Sequence, residues 1–191
     1  IFYILNQYPD LKDSIERKLY VLHPSQSSNG FDISQKKYNY SCLRFVFVGR
    51  FFFHKGGLEI LRAFDKLIEE GFFLKLTIVG SFEKTNWLDN HITNIEVLET
   101  KELFKKNIDF IDYFKELPNN EVLELFKKSD IGLLPSYGET YGYSVLEAQS
   151  FGCPVITTNI WAFEEINNDE KGWLVNVPRK LEEGGYIADV D

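Results

Sequence analysis

Two stretches of the sequence bring together residue types suited to an anionic, hydroxyl-rich ligand. Residues 49–57 read GRFFFHKGG. Gly49 opens the stretch, Arg50 and Lys55 are its two permanent cations, and Gly56 and Gly57 close it. Glycines allow a close approach of backbone to ligand, and a helix starting here would aim free N–H groups outward. Two cations beside a helix start suit a phosphate or diphosphate. The spacing is neither that of a Walker loop nor that of the dinucleotide fingerprint. Taken alone, the stretch favours a plainer reading, a turn with two solvated cations.

Residues 135–147 read PSYGETYGYSVLE. A helix beginning near Gly142 would leave the N–H groups of Tyr141, Gly142, Tyr143 and Ser144 pointing out of its first turn. Glu139 lies in the loop before it and Glu147 within it. One reading makes Glu139 a helix cap. The other has Glu139 accepting hydrogen bonds from sugar hydroxyls and Glu147 from the two hydroxyls of a ribose, as acidic residues do in other nucleotide sites.

Both stretches need an element before and a helix after them, and the pattern supplies these. Short apolar runs at residues 43–49, 73–80, 107–111, 130–134, 154–158 and 172–175 read as strands. Helical periods fall at 57–70, 119–128 and 142–151, with a helical turn at 163–166. Such alternation predicts an α/β fold, a Rossmann-like doubly wound parallel sheet with ligands outside the carboxyl ends of its strands. Residues 18–24 (KLYVLHP) could form a further strand, and 25–40 read as a polar linker.

Composition narrows the partners. The 191 residues carry 21 Lys and Arg against 29 Asp and Glu, a formal charge of −8. That argues against binding nucleic acid through bulk charge. No apolar run approaches the ~18 residues of a membrane span. The opening IFYIL turns polar at Asn6 without a basic leader and does not read as a secretory signal. Cys42 and Cys153 make no disulfide framework, and Cys153 before Pro154 reads as a small buried hydrophobe. Of residues 51–53 (FFF), at least one Phe is expected to pack inward, with an exposed patch as the other reading. No Cys/His cluster has zinc spacing. The Asp189-x-Asp191 pair follows none of the strands read here and is expected to be an acidic tail rather than a metal motif.

In this order and on this fold, the two stretches resemble the donor-binding domain of retaining glycosyltransferases with the GT-B fold, glycosyltransferase family four. That family has a Gly-Arg…Lys-Gly segment after its first strand. It also has Pro-Ser-x-x-Glu-x-Phe/Tyr-Gly-x-x-x-x-Glu-Ala, matched here by Pro135, Ser136, Glu139, Tyr141, Gly142, Glu147 and Ala148, with Gly152, Pro154 and Val155 following. The resemblance covers about residues 43–175. It implies that Arg50 and Lys55 bind the diphosphate of a nucleotide sugar and stabilise the departing charge, and that Glu139 contacts the donor sugar. Backbone groups of Tyr141, Gly142, Tyr143 and Ser144 would meet sugar and phosphate oxygens, Glu147 would hold the ribose, and the backbone near Phe114 would meet the base. It further implies that no metal and no cofactor is needed. Departures at Gly80–Glu83, Asp112 and residues 161–163 bear on which donor is held.

The family has two Rossmann-like domains. Residues 1–42 are therefore expected to be the end of a preceding domain with its exit strand and a linker, and 43–191 the donor-binding domain. A chain without Met fits a piece of a longer protein, inactive alone, whose acceptor-binding N-terminal domain lies outside it. The expected partners are a nucleotide-sugar donor and a glycan, lipid-linked or other acceptor. The expected location is the cytoplasm, with room for peripheral attachment to the inner membrane face. A non-catalytic nucleotide-sugar-binding or interaction domain, and a GT-B sugar-nucleotide epimerase, stay open as alternatives.

Overall fold

The computed structural model describes residues 8–20, 22, 24, 30–83, 92–168, 170–182 and 185–188. Its main sheet has six parallel strands: β1 (Leu43–Phe51), β2 (Leu74–Ser81), β3 (Ile111–Phe114), β4 (Ile131–Leu134), β5 (Val155–Thr158) and β6 (Gly172–Val175). They lie in the order β3-β2-β1-β4-β5-β6. Helix α1 is Pro9–Glu16, and a single 3-10 turn, Ile33–Gln35, precedes β1. Five further helices connect the strands: α2 (Gly57–Glu69), α3 (Asn94–Lys106), α4 (Asn119–Lys128), α5 (Tyr143–Ser150) and α6 (Phe163–Ile166). This is the doubly wound arrangement, and the chain reverses direction across the sheet between β1 and β4.

The central strands are apolar on both faces because helices cover both. Phe47, Leu76 and Ile78 are fully buried, and Phe52, Leu58, Leu61, Val145 and Phe163 join them from loops and helices. Each such side chain contributes about 1.5–3 kcal/mol relative to exposure. β1 pairs with β4 through Phe45–Ile131, Val46–Gly132 and Phe47–Leu133. Gly132 opposes Val155 on β5, and a Cβ there would press on the Val155 methyls at 3.1 Å.

At the amino ends of β1 and β4 the pairing is clasped by an ion pair. Asp130, with its side chain 1% exposed, accepts from Arg44 Nε at 2.9 Å and Nη2 at 2.7 Å. It also accepts from the backbone N–H groups of Arg44 and Asn39. Burial alone would push this carboxyl up, but the Arg44 and Asn39 bonds more than offset it and hold it below its ordinary value. Cys153 is fully buried, and burial pushes its thiol up to about 12, as befits an inert core residue.

Several elements differ from the sequence reading. Residues 107–111 are not a strand. The Asn107 side chain donates back to the Leu103 carbonyl at 3.1 Å and to Asp65 at 2.8 Å, which ends α3. A 3-10 turn, Ile108–Phe110, then delays β3 to Ile111. Helix α3 was not expected; its start is a capping box, Thr93 with Glu96. Helix α1 was not expected either. Lys18, Leu19 and Tyr20 are not in a strand, while Val21 and His23 of that expected strand lie outside the described residues. The linker is docked at its described end: Lys36 Nζ donates to the Phe126 and Phe151 carbonyls at 2.8 and 3.2 Å, and the Tyr38 hydroxyl to Gly152. A final antiparallel hairpin, β7 (Arg179–Glu182) and β8 (Gly185–Ala188), follows β6. A strand therefore does lead up to Asp189; Asp189–Asp191 themselves lie outside the described residues.

Candidate functional site

The loops after β1 and β4 meet at the switch point, where the carboxyl ends of neighbouring strands feed chains in opposite directions. Residues 52–56 make a tight turn, with Lys55 N–H donating to the Phe51 carbonyl and Gly56 N–H to that of Phe53. Gly56 is left-handed at φ 79°, and a Cβ on it would collide with the Pro135 carbonyl. Only glycine tolerates both conditions. Phe52 and Phe53 are buried, so the exposed-patch reading fails for them, and their rings anchor the turn.

Gly49 is buried in β1, where a Cβ would sit 2.7 Å from the Phe47 ring and 3.0 Å from Lys55 Cβ. Its bare backbone lets the Lys55 side chain fold across the strand. Lys55 Nζ donates to Glu139 Oε2 at 2.7 Å and to the Gly138 carbonyl at 3.0 Å. The two side chains are only 16% and 14% exposed. An ammonium has three donors, so one remains for a ligand. Glu139 Oε1 accepts from the Thr140 N–H at 2.9 Å. The carboxylate is thus a paired, oriented acceptor in its loop, not a cap on α5, whose N-cap makes no side-chain bond.

Arg50, the last residue but one of β1, is exposed, its guanidinium 5.7 Å from the Phe51 ring centroid. Gly142 caps α5 at φ 92°, and a Cβ on it would lie 2.5 Å from the Phe163 ring. Tyr143 and Ser144 open the helix, so their N–H groups have no acceptor within it. The Tyr141 and Tyr143 rings lie 5.6 Å apart, and burial raises the Tyr141 phenol. Glu147 is half-buried in α5; burial raises its carboxyl, and a hydrogen bond from Asn119 works the other way. Asn119 starts α4, five residues beyond Phe114, which ends β3 half-exposed.

Lys55 and Glu139 are therefore in direct contact. Glu147 lies near Asn119 at the start of α4, on the chain that comes from Phe114. Arg50 stands exposed near the carboxyl end of β1. Asn119 was not singled out from the sequence; its only signal was a polar residue after Pro118 at a helix start. Among the described residues no three His, Cys, Asp or Glu stand together as a metal cluster.

Residues 32–184 match the family model of glycosyl transferases group 1. The chain belongs to this family. The capsular polysaccharide biosynthesis glycosyltransferase CapM of Staphylococcus aureus is 28% identical over 130 residues, 68% of this chain and 31% of that protein. A glycosyltransferase structure from Rickettsia africae aligns with a TM-score of 0.64 at 23% identity, over 84% of this chain and 44% of that one. The C-terminal domain of a group 1 family protein, LpcC, from Francisella tularensis aligns with a TM-score of 0.54 at 23% identity, over 82% of this chain and 77% of that one. The fold is that of GT-B glycosyltransferases, a Rossmann-like α/β sheet. The chain spans about a third of the length of the curated group 1 relatives it matches.

Proposed function

We propose that this chain is the donor-binding half of a retaining glycosyltransferase, which moves a sugar from a nucleoside diphosphate sugar to a glycan, lipid-linked or other acceptor. The observation that carries this reading is the Lys55–Glu139 pair at the β1–β4 switch point, beside the glycine-capped start of α5. A carboxylate near a diphosphate would repel it. Lys55 lies against the carboxylate and neutralises it, with a donor to spare for the phosphate. Glu139 then accepts from sugar hydroxyls, and Glu147 from a ribose.

Breaking the anomeric C–O bond leaves negative charge on the diphosphate. Arg50, Lys55 and the N–H groups of Tyr143 and Ser144 are preorganised donors for that charge, and such donors act most strongly in the transition state. In this reading they do the work without a metal or cofactor. Residues 1–42 join a preceding acceptor-binding domain, and this chain alone turns nothing over. The longer protein works at the cytoplasmic side, free or peripherally bound to membrane. Among the described residues, no helix is long and apolar enough to cross one.

The test is the product of the full-length protein, with the anomeric configuration read by NMR. Transfer with the donor's configuration kept supports the proposal. An inverted anomer contradicts retention, and donor consumption without transfer contradicts the transferase reading.

A further inference from the structure

The amino ends of β5 and β6 border an open cavity of about 370 Å³, within the ~300–1,000 Å³ range of small-ligand sites. It lies at the end of the sheet opposite the loops of Lys55 and Glu139. Tyr38, Gln149, Gly152, Glu170, Lys171 and Trp173 line it. Trp173 belongs to β6, the last strand in sheet order, and is 52% exposed. A fold usually covers most of a tryptophan. The indole N–H of this one has no hydrogen-bond partner among the described residues. A flat apolar ring and an uncommitted donor therefore stand together at the cavity wall.

The walls are held from behind. Asn167 is fully buried, and its Nδ2 donates to the Val155 carbonyl at 2.9 Å and the Trp173 carbonyl at 3.2 Å. Its Oδ1 accepts from Gln149 Nε2 at 3.0 Å, and the Ile166 carbonyl accepts from the same nitrogen at 3.0 Å. With both N–H groups committed, the Gln149 amide is fixed in orientation and its Oε1 is left as an acceptor. The Tyr38 hydroxyl donates to the Gly152 carbonyl at 2.8 Å, which fixes a second ring on the cavity.

Charge decides the ligand class. Gln149 lies in the last turn of α5 and Gly152 just beyond it, at the negative end of the helix dipole. Glu170 adds a carboxylate, so an anion is disfavoured. Lys171 beside it disfavours a cation. Both side chains are exposed and neither has an ion-pair partner among the described residues, so each keeps its hydrogen bonds for a ligand. What fits is an uncharged molecule with an apolar face and a rim of hydroxyls. A sugar ring has both: its C–H groups pack on the electron-rich face of an aromatic ring, and its hydroxyls exchange hydrogen bonds with amide, carboxylate and ammonium groups.

We propose that this cavity is a saccharide-binding site, separate from the proposed donor site, in which a sugar ring packs on Trp173 and its hydroxyls bond to Gln149 Oε1, Glu170 and Lys171. The inference goes beyond the proposed function and does not depend on which nucleotide the carboxyl-end loops take. For a glycosyltransferase it gives the glycan a second hold, remote from the bond being formed.

The experiment is an NMR titration of the chain with maltotriose, cellotriose, mannotriose and chitotriose, and with glucose 6-phosphate and glucosamine as charged controls. It reads the backbone amides and the indole N–H signals of the three tryptophans; the signal lost in Trp173→Ala is that of Trp173. At least one trisaccharide is expected to shift the Trp173 indole and the Gly152 and Lys171 amides saturably. Trp173→Ala should weaken that binding about tenfold or more, and Trp173→Phe, which keeps a ring, should retain most of it, both with the melting temperature held. The wild-type pattern of shifts stands without any variant. No shift at Trp173 with any trisaccharide, or undiminished binding by Trp173→Ala, overturns the inference. So do shifts confined to residues 49–57 and 135–147, which would place the sugar at the donor loops. Tighter binding of glucose 6-phosphate or glucosamine at Trp173 than of every uncharged sugar would make the cavity an ion site and overturn it as well. Nucleotide binding is a separate measurement, so failure of the donor-site reading is told apart from failure here.

Discussion

Glu147 is the residue whose ionisation should be visible from outside. It is half-buried in α5, and burial raises its carboxyl above the ordinary value, which is about 4.3 for Glu. The ionised form is thus less favoured in the fold than in water, and its drag on stability grows as pH rises through the unfolded and then the folded pKa. For the ligand the sign is opposite. In the proposed donor site ribose hydroxyls donate to the carboxylate, so donor affinity is expected to be full above the raised pKa and to fall as pH drops through it. The loss should therefore begin at a higher pH than for an exposed glutamate, approaching tenfold per pH unit below it. Nucleotide affinity measured against pH checks this, and Glu147→Gln should flatten the curve at its low value. A flat wild-type profile would mean that the Glu147 carboxyl does not hold the ligand. Lys55 and Glu139 make the complementary point: each supplies the counter-charge that lets the other sit largely shielded, beside the proposed phosphate site.

The two site loops are set by glycines at element boundaries. Gly56 ends the turn before α2 and touches the Pro135 carbonyl across the switch point. Gly56→Ala must accept a left-handed backbone, about 1–2 kcal/mol, and an overpacked contact, about 1–3 kcal/mol. A stability loss of about 2–5 kcal/mol is expected in denaturant unfolding, with weakened nucleotide binding because both loops shift. A loss under about 0.5 kcal/mol would show that the loops are not interlocked. This level was largely legible in the sequence. Strands β1, β2, β4, β5 and β6 and helices α2, α4 and α5 follow from apolar runs and 3.6-residue periods bounded by glycine or polar residues. What escaped was governed by side chains acting at a distance. Asn107 ends α3 by bonding Leu103 and Asp65, 42 positions away, and so displaces β3. The low amphipathicity of α3 hid it, although Thr93 and Glu96 spelled its cap. Glu139 and Glu147 were readable as acceptors, but nothing in their spacing showed that Glu139 is paired to Lys55, 84 positions away.

At the scale of the molecule, the same sheet keeps a structural clasp and the proposed donor site at opposite ends. The amino ends of β1 and β4 carry the Arg44–Asp130 clasp and the docked segment around Lys36. The carboxyl ends carry Arg50, Lys55 and Glu139. The match to glycosyl transferases group 1 spans residues 32–184, so the docked segment around Lys36 lies within the matched residues. The measurement that tests the account most directly is a calorimetric titration of the chain with UDP, GDP and ADP, for wild type and Arg50→Ala. Saturating one nucleotide at about a hundred times its dissociation constant should also stabilise the fold by about 2.7 kcal/mol in a parallel melt. The account predicts saturable binding of one nucleoside diphosphate to wild type and its loss in a folded Arg50→Ala. Binding that Arg50→Ala leaves intact, or no binding of any of the three, would contradict a donor site at the β1–β4 switch point.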